Sequence, residues 1–375
     1  MEYVRLGDYV KIDSGFAFKS TLFNEEAGIR LLRIRDVTGT EKRTYYTGEY
    51  DEKYLVNNED LLISMDGSFV VNKWSEGVGL LNQRVCRISS SNPELSENYL
   101  KWLLPKRLKE IEDKTSFVTV KHLSVKKIEE IEFQLPPLET QQKIADTLDK
   151  AQQLINNRKQ QITELDNLTQ SIFYDMFGDP VSNSKKYETI QFDEVIVDLR
   201  YGTSNPPKFS DTGYKFIRAT NIKKGKILNG NMYYISQEEA DKLPKCKLEL
   251  NEIIFVRSGV NSGDNAIVTE SFAGEYGAYD IMVKINLEKV NPIFLNILFN
   301  TDYLDRIIKP LTRRAAQPHL NAEQIRNLDV ILPTVKIQNV FAETIQMIEK
   351  QKTILEKSLV ELENNFKSLM QKSFK

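Results

Sequence analysis

The 375 residues include only two cysteines, Cys86 and Cys246. That scarcity argues against a disulfide-stapled secreted fold and fits a reducing cytoplasm. Histidine is just as rare, with His122 and His319 alone. None of these four residues stands at local ligand spacing, which argues against a zinc site, and no metal is expected on the chain. No apolar run approaches the ~18–20 residues a membrane helix needs. Met1 is followed by charged and polar residues rather than an apolar signal stretch. The chain is therefore expected to be soluble and cytoplasmic. Charge of one sign is missing too: 51 Lys plus Arg face 53 Asp plus Glu, a formal charge of −2. A protein that binds nucleic acid unaided is often more basic. Any such face must be a local patch, or partners must add positive surface. Also absent are a Walker A pattern, a nuclease grouping of Pro-Asp and Glu-x-Lys, and a glycine-rich cofactor loop after a strand. What remains is ordinary globular material, 41 % hydrophobic and 28 % charged. At this length two cores are expected rather than one.

The chain then repeats itself. His122-Leu123-Ser124, Ile128, Ile131, Leu135-Pro136, Gln141 and Ala145 return as His319-Leu320-Asn321, Ile325, Leu328, Leu332-Pro333, Gln338 and Ala342. The offset is constant (319 − 122 = 197), so no gap is needed. Upstream, Leu31-Leu32-Arg33-Ile34-Arg35-Asp36-Val37 matches Phe216-Ile217-Arg218-Ala219-Thr220-Asn221-Ile222, pairing Arg33 with Arg218 and Asp36 with Asn221. Residues 59–63 match residues 251–255. The offsets drift between these anchors, so the interiors of the two copies have diverged. Two copies of one supersecondary plan imply a pseudo-twofold molecule that touches two places.

Each copy has a globular part and then a long helix. Residues 1–137 form the first arm and 138–179 its helix; 180–333 form the second arm and 334–375 its helix. Within the arms, alternating apolar stretches at 31–35 and 61–64 read as strands broken by glycines. Residues 98–113 read as a helix that Pro105 kinks or ends. The overall class is mixed α/β.

In the first long helix Ile144, Leu148, Ala151, Ile155, Arg158, Ile162, Leu165, Thr169, Ile172 and Met176 step by four and three. In the second, Phe341, Ile345, Ile348, Lys352, Leu355, Leu359, Leu362, Phe366, Leu369 and Ser373 keep the same register. That is the apolar seam of a coiled coil. Because a whole arm separates the helices, antiparallel packing of the two seams within one chain is expected. Arg158 and Lys352 put one basic residue in each seam, where snorkelling of the head group to solvent is the simpler reading. Gly178-Asp179-Pro180 stops the first helix.

The remaining chemistry is that of recognition. Arg313, Arg314 and Gln317 lie in a basic, amide-bearing loop just before His319, and Lys121 holds the matching place before His122. Arg33 and Arg35, and Arg218, Asn221, Lys223 and Lys224, stand at equivalent strand ends, and Arg257 follows a strand of the second arm. Arginine suits the guanine edge, glutamine suits adenine, and lysine or threonine suits phosphate. Ser204-Asn205-Pro206-Pro207-Lys208 resembles the Asn-Pro-Pro-aromatic signature of DNA amino-methyltransferases, which would make the chain a standalone adenine methyltransferase. Its aromatic residue, Phe209, comes one place late, and an ordinary turn explains the prolines. A third reading is a coiled-coil scaffold that does not bind DNA.

Leu135-Pro136-Pro137-Leu138-Glu139-Thr140-Gln141-Gln142-Lys143-Ile144-Ala145, followed by a heptad helix, resembles the central region of type I restriction–modification specificity subunits. Gly15-Phe16-Ala17-Phe18-Lys19 is also similar to them. The likeness covers the whole chain; the second copy departs where Lys336 replaces Glu139. The resemblance implies two tandem α/β target recognition domains separated by an antiparallel helical coiled coil. Each domain would read one half of a bipartite, asymmetric site on double-stranded DNA, and the helices would set the unread spacer. Two methyltransferase subunits would dock there and bring S-adenosylmethionine, and motor–nuclease subunits would bring ATP and Mg chemistry. The chain itself would hold no cofactor and catalyse nothing.

Overall fold

A computed structural model describes residues 3–39, 42–115, 121–313 and 318–374 of the chain. They fall into two compact units, one comprising Met1–Arg158 and Ser358–Lys375, the other Lys159–Lys357. The division cuts both long helices, Leu138–Phe177 and Val335–Ser373, so each unit owns one end of each.

The first unit holds a four-stranded antiparallel sheet in the order Val10–Ser14, Val85–Ser90, Leu61–Ser64, Val71–Lys73. A second sheet runs Phe23–Asn24, Tyr45–Tyr46, Ile29–Leu32, Gly79–Leu81, Leu55–Val56, with one parallel pair at its centre. Tyr3–Arg5 pairs with Glu132–Gln134 and closes the arm next to the long helix. The core is built from Leu61, Ile63, Cys86 and Ile88 of the first sheet and the apolar face of the helix Glu97–Lys114. Pro105 does not end that helix. Tyr99, Trp102 and Leu103 are buried before it and Leu108 after it, and this packing offsets the backbone bond that proline cannot make.

The second unit repeats the strand order. Its antiparallel sheet runs Ile196–Tyr201, Ile281–Ile285, Ile253–Phe255, Asn265–Ile267. Its other sheet runs Phe209–Ser210, Tyr233–Ile235, Tyr214–Ile217, Tyr276–Gly277, again with one parallel pair. Thr189–Gln191 pairs with Asp329–Ile331 as the closing pair.

Residues 31–35 are not one strand. The strand ends at Leu32 and a short helix, Ile34–Thr38, begins; the matching strand ends at Ile217 before the turn Ala219–Asn221. The cause is the same in both. The Asp36 carboxylate accepts the Arg33 backbone N–H at 2.9 Å, and the Asn221 carbonyl accepts that of Arg218 at 3.1 Å. A short polar side chain three residues on draws the backbone out of the ladder.

Every seam position of the two long helices is buried or half-buried. Their opposed directions follow from contacts inside each unit. In the first, the helix Glu97–Lys114 meets Gln141 through Ser96 and Asp149 through Trp102, while Tyr99 meets Phe374 and Trp102 meets Phe366. One long helix ascends along it as the other descends. In the second, Phe173 and Phe177 pack on Phe341 while Asp166 pairs with Lys352. Lys352 does not snorkel: it is buried and forms that ion pair in the seam. Burial alone would lower its pKa, but Asp166 and Glu349 hold the ammonium above its ordinary value.

The repeated glutamine makes the join between arm and helix. Gln141 and Gln338 are both fully buried. Gln141 Nε2 donates to Pro136 O at 2.8 Å and Glu94 O at 2.7 Å, and its Oε1 accepts the Ser96 N–H at 2.9 Å. Gln338 Nε2 donates to Pro333 O at 2.7 Å, and its Oε1 accepts the Asn291 N–H at 2.8 Å. Gln141→Leu keeps the bulk but strands these backbone groups, so it is expected to cost on the order of 3 kcal/mol. Gln142→Leu, one residue on and exposed, is expected to stay within about 0.5 kcal/mol. Urea unfolding of the two variants checks this; indistinguishable midpoints would show that the clasp adds nothing.

Candidate nucleic-acid interface

In both units the repeated histidine lies beside the end of a central strand. Isolated bridges join Asp66 to His122 and Ser258 to His319. Backbone bonds frame them identically, Leu123 N to Met65 O and Leu320 N to Arg257 O, each at 2.8 Å. Asp66 Oδ1 lies 2.6 Å from His122 Nδ1, and Ser258 Oγ lies 2.8 Å from His319 Nδ1. A guanidinium stands at each corner. Arg84 Nε is 3.3 Å from Asp66 Oδ2. Arg257 Nε donates to His319 Nε2 at 3.4 Å, and its guanidinium lies over the rings of Tyr201 and Tyr279, 4.5 and 4.4 Å from their centroids.

Glycine makes the close approach beside each corner possible. A Cβ on Gly15 would lie 2.1 Å from Asn82 O, and one on Gly202 would lie 1.5 Å from Ala278 O. Any side chain there would push the strand end away from the segment that carries Asn82-Gln83-Arg84 or Ala278-Tyr279-Asp280. Beyond Gly15, a cleft of about 570 Å³ is lined by Arg33, Arg35, Arg84, Asn82, Gln83 and Phe18 among others. None of its described lining residues is acidic.

The sequence candidates fall in different places. Arg33 is exposed, with its guanidinium 6.0 Å from the Phe23 ring. Arg35 is half-buried and bonded to Thr44. Arg218 stacks on Tyr233 at 3.4 Å and donates to Asn231 O. Lys223 and Lys224 are exposed at a tight hairpin where Lys224 and Gly225 both take positive φ, 49° and 76°. Arg313 is exposed beside His319, whose N–H bonds Thr312 O at 2.9 Å. Arg314 and Gln317 lie outside the described residues. Two further candidates, Asn221 and Lys121, are also engaged internally. Asn221 is 1 % exposed, and its amide bonds Leu228 O and Gly230 O, so it shapes a turn rather than reading a base. Lys121 donates to Glu112 O at 2.7 Å, near the C-terminal end of the helix Glu97–Lys114, where a cation is favoured.

Asn205-Pro206-Pro207 follows Gly202 in a loop closed by Thr203, whose Oγ1 donates to Asn205 O at 3.0 Å. It is a turn, as proline after a short polar residue predicts.

A model of the type I restriction modification DNA specificity domain matches residues 1–166 and 186–364. The chain belongs to this family. It is 26 % identical to the EcoBI specificity subunit of Escherichia coli, over 99 % of this chain and 85 % of that one. It is 21 % identical to the MjaVIII specificity subunit of Methanocaldococcus jannaschii, over 98 % and 91 %. A solved S subunit from M. genitalium shares the fold, with TM-score 0.65 and 14 % identity over 100 % of this chain and 96 % of that one. As a specificity subunit the chain serves sequence-specific DNA recognition in a restriction–modification complex and is non-catalytic. The methyltransferase reading of Asn205-Pro206-Pro207 is not favoured.

Within a specificity subunit, Asn82, Gln83, Arg84, Tyr201 and Tyr279 are recognition candidates that sequence reading missed. Arg84 and Tyr279 sit where the two copies share no side-chain identity, so no repeat signal marked them. One buried group near the second corner is titratable. Asp280 is 3 % exposed; its Oδ1 accepts the Arg257 backbone N–H at 3.2 Å, and its Oδ2 has no hydrogen-bond partner among the described residues. Burial pushes its carboxyl up to about 6, against the opposing pull of that N–H. In the unfolded chain an aspartate titrates near ~4. Between those values the folded form keeps a proton that the unfolded form has lost. Stability therefore falls as pH rises from about 4 to about 6, and the full cost, on the order of 3 kcal/mol, is present above that. Asp280→Asn is expected to raise the thermal midpoint of the unit at pH 8 and to change it little at pH 4.5. Equal midpoints at pH 8 would show that the carboxylate is not a liability.

Proposed function

We propose that each unit reads one half of a split, asymmetric double-stranded DNA site, and that the paired long helices set the unread spacer between the halves. The helices also dock two methyltransferase subunits, which bring S-adenosylmethionine. Motor–nuclease subunits join the same complex for restriction and bring ATP and Mg chemistry. The complex works in the cytoplasm. No described helix is long and apolar enough to cross a membrane.

One observation carries this reading. The same strand order, the same histidine corner and the same glutamine clasp occur twice, but the side chains around the two corners differ. A duplicated scaffold with unlike reading surfaces is what recognition of two unlike half-sites requires. The formal charge of −2 fits a chain that shares its phosphate contacts with partners. Genome-wide methylation mapping tests it, in cells carrying the chain with its methyltransferase partner against cells lacking the chain. A split motif that appears only with the chain is the expected result. An unsplit motif would overturn the two-reader assignment, and no new motif from a chain that still co-purifies with active methyltransferase would overturn the role in specificity.

A further inference from the structure

The two corners place a guanidinium at one site of the fold from opposite strands. Strand registers establish the equivalence. Ile63 pairs with Cys86, and Phe255 pairs with Ile281. Ile63 and Phe255 are matching repeat positions, so Cys86 corresponds to Ile281, and Arg84, two residues earlier, to Tyr279. Met65 corresponds likewise to Arg257. In the first unit Met65 N bonds Arg84 O at 3.0 Å, and the arginine comes from the Val85–Ser90 side. In the second the arginine is Arg257, at the position of Met65, and an aromatic ring, Tyr279, takes the position of Arg84. Both guanidinium groups lie at the corner that holds their unit's histidine.

Each is held in a way that leaves donors to spare. A guanidinium has five N–H donors. Asp66 engages Arg84 through Nε, and the Arg84 side chain is 52 % exposed. Arg257 meets no carboxylate through its side chain among the described residues; its rings and His319 hold it instead. Aromatic faces fix the plane of a guanidinium without consuming its in-plane donors. A planar donor pair fixed in orientation fits the two adjacent acceptors on the major-groove edge of guanine. Val260 stands three residues beyond Arg257 in a turn closed by the Ser262 N–H to Gly259 O bond, and it is 97 % exposed. An apolar tip beside an arginine suits a neighbouring thymine methyl.

We propose that Arg84 and Arg257 are the guanine-reading side chains of the first and second halves, each set at the equivalent corner of its unit. The inference rests on the two-reader function above. Methylation mapping with the full complex tests it through Arg84→Ala, Arg84→Lys, Arg257→Ala and Arg257→Lys. Lysine keeps the charge but not the planar pair, so both substitutions at a position are expected to relax one G·C position in one half-site. Discrimination there should fall by roughly tenfold to a hundredfold, with the other half unchanged. Arg84 and Arg257 variants must affect different halves. A wild-type motif with no G·C pair in a half overturns the assignment for that half. So does an unchanged motif in both variants at that position, while the wild-type split motif would leave the two-reader function standing. Loss of all methylation with a lowered thermal midpoint in both variants at a position would make that arginine a structural residue and overturn its assignment too. A wild-type chain that directs no split motif removes the underlying function and this inference with it.

Discussion

A buried glutamine amide that both donates to and accepts from the backbone fixes how each arm meets its helix. Gln141 and Gln338 are sealed from solvent, and each bridges the backbone before its own helix to the N-terminal end of the arm's helix. An amide in that position tolerates no slip. Moving the helix by one residue would strand backbone N–H and C=O groups away from water, at a cost comparable to lost hydrogen bonds. The apolar seam that follows is non-directional and would accept several registers by itself. The clasp chooses one, and the heptad positions downstream inherit it.

The seam then carries a second constraint, one that differs between the copies. Lys352 is buried and paired with Asp166, while the repeat position that matches Lys352 is Ile155, a buried apolar residue in the other unit. Replacing one partner of such a pair would leave an uncompensated charge in the seam. A polar group at a single seam position specifies register and partner at some loss of stability. The duplication therefore stops short of true symmetry at the helices as well as in the arms.

Much of the framework was legible in the sequence because it rests on periodicity and repetition. The heptads, the constant offset of the His-Leu and Pro-x-x-x-x-Gln elements, and the glycine stop after Phe177 all express local rules, and Gly178 does take a positive φ of 72°. Residues 31–35 read as one strand because alternation alone cannot see that Asp36 captures the Arg33 N–H. Asn221 reads as a DNA-contact candidate for the same reason. Its side chain is spent on Leu228 and Gly230, residues that fold back on it. Lys352 reads as a snorkelling residue in the sequence because its counter-charge, Asp166, is 186 residues away. Arg84 leaves no signal in the sequence because its partner, Asp66, lies across the sheet and its repeat equivalent is a tyrosine. A site built from cross-strand neighbours leaves no pattern along the chain.

The corners also explain how such a scaffold keeps its fold while its surface changes. What joins the histidine segment to the strand end in both units is main chain: Leu123 N to Met65 O in one, Leu320 N to Arg257 O in the other. Those bonds do not depend on whether the flanking side chain is Met65 or Arg257, Asp66 or Ser258, Arg84 or Tyr279. Glycines at 15 and 202 keep the neighbouring segments close without specifying what those segments display. Stability is thus assigned to backbone ladders, buried amides and apolar seams, and the side chains at the corner are relieved of it. A substitution there alters the chemistry offered to a ligand and leaves these main-chain bonds in place. Two such corners on one chain can diverge independently, and the present pair already has, with a carboxylate-held arginine in one and a ring-held arginine in the other.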